Sequence, residues 1–441
     1  MKYTKAGKIS QRFIDADNKN FKLIFFSFII GILAGTAGSV FRLVLGYIDN
    51  FRDDLYANVN NLDISNWLLP LLFGITGITG SLFLVKKFAP EASGSGIQEI
   101  EGALDGVKTL RWKRILPVKF VASLFSLGSG LLLGREGPTI QIGANIGKMT
   151  EDISKQPADE TNPLVSAGAA AGLAGAFNAP LAGIIFVIEE MHGHFKYTFY
   201  SVAAIMVASG TADFIVRALI GADPVIKMSV FSSPDISALW MFIILGAFFS
   251  FIGYLFNKLI VLSLNFFENL SKSLFVITVI FIGILITLLG IFDTGMTGGG
   301  YGTIREVLDG SFTLRFLIVL FVGRLLLTVF SYGTGVPGGI FAPLLALGVV
   351  FGMLFGNVSH NYFPELISEP GVFAVAGMAG IFASTVRAPL TGLVLAVEMT
   401  SNYEMILPLI ITAVTASVIT AQLGNEPIYT TLLKRSLTIK K

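Results

Sequence analysis

This sequence predicts an all-α, polytopic membrane protein built from two related halves, and three observations predict it. Of the 441 residues, 53% are hydrophobic and only 14% charged, against about 25% charged in soluble domains. Apolar stretches long enough to cross a bilayer, at roughly 20 residues each, recur along the whole chain. Motifs of the first half also return, in the same order, in the second. That pattern marks transporters whose site lies between repeats.

Taken in order, Lys2, Lys5, Lys8, Arg12, Lys19 and Lys22 form a basic N-terminal segment over residues 1–20, which the positive-inside rule assigns to the cytoplasm. The apolar run 23–48 is too long for a signal-peptide core and is read as a retained span. Further spans are expected over 67–85, 199–220, 237–264, 274–292, 316–330 and 405–423, with shorter Gly/Pro-interrupted segments between them. Lys434, Arg435, Lys440 and Lys441 mark a short cytoplasmic tail, 434–441, so both termini are expected in the cytoplasm and no regulatory domain is expected. A single transmembrane transport domain is thus predicted over 21–433, with halves of about 21–220 and 238–433. The net charge of +2 gives no reason to expect a nucleic-acid partner. With no cysteine, disulfides and thiolate metal sites are excluded.

The repeat is visible at three places. GSGIQEIEGALDG at 94–106 returns as GGGYGTIREVLDG at 298–310, displaced by 204 residues. GREGPTIQIGANIG at 134–147 matches GIFAPLLALGVVFG at 339–352, displaced by 205. Ala179, Pro180, Leu181, Gly183 and Glu189 recur as Ala388, Pro389, Leu390, Gly392 and Glu398, displaced by 209. Structural residues should recur in both halves, whereas residues with single-copy chemistry should break the symmetry. Glu136 is matched by Phe341, Ser95 by Gly299 and Glu190 by Met399, but Glu189 by Glu398. Glu136, Ser95 and Glu190 therefore become functional candidates and Glu189 does not.

Each Gly-rich element precedes an apolar run of helical period and reads as a helix N-terminus inside the membrane. Such an end offers unpaired N–H groups and a partial positive charge, an anion site that needs no full cation. Gly94, Gly96, Gly338 and Gly339 remove side chains that would keep an ion from the backbone, Ser95 adds a hydroxyl donor, and Gly134, Arg135, Gly137, Pro138 and Pro343 belong to the same candidate filter motif. Close helix packing is the competing explanation for glycines and fits 168–172 best. A site of amides and hydroxyls would hold a small monovalent anion loosely enough for permeation.

Arg135 and Glu136 stand inside this apolar sequence, where an ionisable residue implies function. Glu136 can occupy the anion's place when ionised and leave it when protonated. As adjacent residues, the two are not expected to pair, because helical neighbours at i,i+1 point apart. Glu190 ends the run 181–188 before an expected interfacial loop. A carboxylate at a helix C-terminus opposes the macrodipole, which favours a role in proton relay. His192 and His194 lack a third ligand, since His360 lies in a different loop, so neither metal nor cofactor is expected. No HExxH, GxSxG or Walker A pattern occurs, and an enzyme is not expected.

These motifs, GSGIQEIEGAL, GREGP, NAPLAGIIFVIEEM, GGIFAP and a late Pro427-Ile428-Tyr429, together resemble the CLC family of chloride channels and chloride/proton antiporters over about 21–433. The resemblance implies two inverted halves of tilted and broken helices in each subunit of a homodimer, in a plasma (inner) membrane of a prokaryote. It implies that Ser95, the amides of Ile340 and Phe341, and the Tyr429 hydroxyl coordinate chloride. Glu136 is then the external gating glutamate and Glu190 the internal proton-transfer glutamate of antiporter members. On this basis chloride/proton antiport is expected, with a passive channel or uncoupled leak as the alternative and fluoride/proton exchange disfavoured by Ser95. Gln98 departs from the proline common at that position, which is expected to loosen the helix start.

Overall fold

The computed structural model describes residues 5–59, 65–155, 163–191, 193, 198–228 and 230–438, with side chains from residue 21 onward. His192 and His194 lie outside the described residues. The first eight helices are α1 (Lys5–Ala57), α2 (Ser65–Phe88), α3 (Ile97–Leu104), α4 (Trp112–Gly128), α5 (Glu136–Ser154), α6 (Pro163–Phe177), α7 (Pro180–Glu190) and α8 (Phe199–Leu219). Their counterparts are α9 (Leu239–Asn269), α10 (Lys272–Phe292), α11 (Tyr301–Asp309), α12 (Leu314–Gly333), α13 (Phe341–Tyr362), α14 (Gly371–Thr385), α15 (Pro389–Thr400) and α16 (Ile406–Gln422), and α17 (Ile428–Thr438) follows. Helix α1 runs without a break across the expected boundary at residue 20.

The halves repeat in packing as well as in sequence. Helix α5 packs on α6 as α13 does on α14, α1 on α8 as α9 on α16, and α2 on α4 as α10 on α12. Small residues make the closest of these approaches possible. A Cβ on Gly143 would lie 2.1 Å from the Gly168 carbonyl oxygen, and one on Gly348 would lie 2.4 Å from that of Gly377. Backbones this close exclude any side chain, the arrangement expected where membrane helices associate through small residues.

Among the described residues, eight helices are long and apolar enough to cross a membrane. Seven coincide with the expected spans, and the eighth is α13, which the Gly/Pro-rich start of its segment had obscured. Its most apolar window is 72% buried, against 33–44% for the others. Helix α13 is therefore covered mainly by protein, which allows it to carry glycines facing α14.

Two buried cations hold the loops that enter the short helices. Lys119 on α4 donates to the carbonyls of Ala92 and Gly94 at 2.9 and 2.7 Å. Arg324 on α12 donates to the carbonyls of Gly295 and Gly298 at 2.6 and 3.0 Å, and to the Thr303 hydroxyl at 2.9 Å. The two positions are 205 residues apart and perform the same task in each half.

Candidate functional site

Three loops meet where helices α3, α5 and α13 begin. Gly134 and Gly339 exchange backbone hydrogen bonds, each 2.7 Å long. Gly94 donates to Val336 at 3.2 Å and accepts from Gly338 at 3.0 Å. Extended backbone thus spans the two halves at the point where three helix N-termini converge. At Gly96 the backbone takes φ of 88° to cap α3, and a Cβ there would meet the Gln141 side chain at 2.3 Å. Only glycine fits both demands.

Glu136 is the first residue of α5 and fully buried. One carboxylate oxygen accepts from the Ala342 amide of α13 at 3.4 Å, and the other accepts from the Tyr301 hydroxyl. A Cβ on Gly134 would strike this carboxylate, so Gly134 makes room for it. The expectation that Arg135 and Glu136 stay apart is overturned: the Arg135 Nε lies 4.0 Å from a Glu136 oxygen. Arg135 is the N-cap of α5, and its guanidinium lies over the ring of Tyr301 at 4.7 Å, the same residue whose hydroxyl donates to the Glu136 carboxylate.

Ser95 immediately precedes the cap of α3 and is fully buried. It rests on Gly137, where a Cβ would come within 2.5 Å of the Ser95 hydroxyl. Tyr429, in the first turn of α17, is also fully buried. Neither hydroxyl has a partner with hydrogen-bond geometry, although each is near enough to influence the other. Ile340 caps α13 and Phe341 opens it, so their N–H groups belong to the unpaired first turn. The Phe341 ring is fixed by Phe382 at 4.9 Å and Phe186 at 5.5 Å, and lies 6.0 Å from the Tyr429 ring. Pro138 and Pro343 each occupy the third position of their helix, where a missing N–H costs no intrahelical bond. The structure therefore brings Ser95, Ile340, Phe341 and Tyr429 together, with Glu136 beside them.

Glu190 ends α7, half-buried, close enough to Glu101 and Glu189 to feel their charges. Glu189 is engaged elsewhere. It accepts from the Leu390 and Thr391 amides of α15 at 3.0 and 2.7 Å, while Glu398 accepts from Leu181 and Ala182 of α7 at 3.1 and 2.7 Å. The recurring glutamates thus cap each other's helices across the halves. Gln98 occupies the second position of α3 without disrupting it; its amide oxygen is buried and lacks a partner.

Two further candidate residues were missed from sequence. Glu101 has both carboxylate oxygens buried without a partner, and Tyr301 holds Glu136. Their repeat counterparts are Arg305 and Ile97, so the symmetry test that selected Ser95 would have selected them too. Among the described residues no cluster suited to a metal ion occurs.

A family model described as voltage gated chloride channel matches residues 77–421. The H(+)/Cl(-) exchange transporter ClcA of Vibrio cholerae is 44% identical over 437 residues, covering 98% of this chain and 93% of its own. That of Salmonella arizonae is 39% identical, covering 98% and 92%. The crystal structure of a slow cyanobacterial Cl-/H+ antiporter superposes with a TM-score of 0.91 at 38% identity, covering 94% of this chain and 98% of that one. A eukaryotic CLC transporter shares the fold at 21% identity, with a TM-score of 0.79 over 94% of this chain and 74% of that one. With these matches and its converging helix N-termini, the chain is an integral membrane protein that belongs to the voltage-gated chloride channel family, the CLC family.

Proposed function

We propose that the protein exchanges chloride for protons across the membrane. The observation that carries this reading is the pair of fully buried, unpartnered hydroxyls of Ser95 and Tyr429 beside the first turn of α13. A buried hydroxyl without an acceptor is costly, and an anion between the two would accept from both. The amides of Ile340 and Phe341 would complete its coordination, with no full cation to make release slow. The relatives described as H(+)/Cl(-) exchange transporters align over nearly the whole chain, which supports the same substrates here.

In this reading Glu136 alternates with chloride at the outer position and takes up a proton on leaving it. Glu190 passes the proton to the cytoplasmic side. The protein works as a homodimer with one pathway per subunit, its two termini in the cytoplasm and its transport domain over 21–433.

The test uses purified protein in liposomes under a chloride gradient, with voltage clamped by a potassium ionophore and external pH recorded. Proton movement coupled to chloride should occur in the wild type and disappear in Glu190→Ala while chloride flux survives. Chloride flux without proton movement in the wild type would instead identify a channel or leak. Retained coupling in Glu190→Ala would remove Glu190 from the relay.

A further inference from the structure

We infer that Tyr301 is a positioning residue that latches Glu136 in its docked, ionised state and so limits the rate of exchange; this rests on the gating role proposed for Glu136. Tyr301 opens α11 behind a left-handed Gly300 cap, just as Ile97 opens α3 behind Gly96. Where the first half has a buried aliphatic side chain, the second has a ring whose hydroxyl reaches the Glu136 carboxylate. The remaining hydrogen bond to that carboxylate from another element is the long one from Ala342, at 3.4 Å. Tyr301 therefore supplies the stronger of the two, and a hydrogen bond to an ionised group is worth more than a neutral one.

The surroundings favour a latch over simple packing. Arg135 lies over the Tyr301 ring at 4.7 Å, and Arg42 of α1 is close enough for its charge to act on both Tyr301 and Arg135. Arg42 is itself held by Asn178 at 2.5 Å. A cavity of about 300 Å³ reaches Arg135 and Tyr301, with Asp49, Arg52, Asp53 and Glu306 also on its walls, but it stops short of Glu136. Gly134, Arg135 and Tyr301 thus border both the cavity and the carboxylate. An anion moving from the cavity toward Ser95 must displace Glu136, and Glu136 must first leave the Tyr301 hydroxyl.

Tyr301→Phe removes the hydroxyl and keeps the ring beneath Arg135. It should raise chloride exchange at neutral pH by at least about tenfold, the lower end of what one hydrogen bond to a charged group contributes. Because the hydroxyl favours the ionised carboxylate, its loss should also move the pH profile of flux toward alkaline pH. Arg135, Arg42 and the acidic cavity wall stay unchanged in the variant. In Glu136→Gln, which cannot ionise, adding Tyr301→Phe should change neither rate nor profile. The latch is overturned if Tyr301→Phe matches wild type in rate and profile, or if its effect persists undiminished in Glu136→Gln. If Glu136→Gln alone leaves flux and its pH dependence unaltered, the gating role fails and the latch with it; an altered Glu136→Gln with an inert Tyr301→Phe rejects only the latch.

Discussion

Glu136 and Glu189 are both carboxylates in an apolar chain, yet their neighbours differ. Glu189 accepts two amides and the Thr391 hydroxyl in a fixed geometry, the arrangement of a structural cap. Glu189→Gln keeps an acceptor but loses its charge, and should cost about 1 kcal/mol, as loss of a helix cap does. Thermal unfolding in detergent would register that loss while proton coupling in liposomes persists, the reverse of the outcome for Glu190. At the proposed anion site, Ser95→Ala removes a hydroxyl that has no protein partner. Because a hydrogen bond to a charged group contributes about 1.5–3 kcal/mol, chloride affinity measured by titration calorimetry should fall at least about tenfold. An unchanged affinity would take Ser95 out of the site. Ser95, Glu136 and Glu189 were legible in the sequence because repeat symmetry separates shared from single-copy residues. Tyr301 and Glu101 broke the same symmetry, but nothing local to either residue says which partner it meets.

The short helices α3 and α11 span only eight and nine residues, and the loops that enter them are held by Lys119 of α4 and Arg324 of α12. Lys119→Met would leave the Ala92 and Gly94 carbonyls without the Lys119 ammonium, and Arg324→Met would do the same to Gly295 and Gly298. Each substitution also keeps an apolar stem, so the loss is chiefly polar. A cost of about 3 kcal/mol each is expected, seen as a lower unfolding temperature and weaker chloride binding together. Arg324→Lys should recover only part, since a single ammonium cannot reproduce the forked contacts of a guanidinium. Between α5 and α6 the constraint is steric. Gly143→Ala would place a Cβ 2.1 Å from the Gly168 oxygen, and overpacking of about 1–3 kcal/mol should reduce the yield of folded protein in detergent. Among the described residues, seven of the eight long apolar helices were legible from apolar length alone. Helix α13 was not, because its glycines and proline read as an interruption until α14 supplied the surface that covers it.

Across the whole molecule the candidate site belongs to neither half. Ser95 and Glu136 come from the first, and Tyr301, Ile340, Phe341 and Tyr429 from the second. The Gly134–Gly339 backbone pair and the crossed caps of Glu189 and Glu398 join the halves directly. Two fragments divided in the connection between α8 and α9 should therefore transport chloride when co-expressed and reconstituted, and neither should do so alone. Flux from a single fragment would contradict a shared site. The sequence by itself determined the membrane class, the repeat and most spans, and it singled out the candidate residues for an anion or a proton, because burial and helix ends leave marks in composition and in local spacing. Only the tertiary structure decided which of these residues meet. Tyr301 and Glu136 are 165 residues apart and Gly134 and Gly339 are 205 apart. Contacts at that separation depend on how entire helices pack, a property that no window of sequence contains.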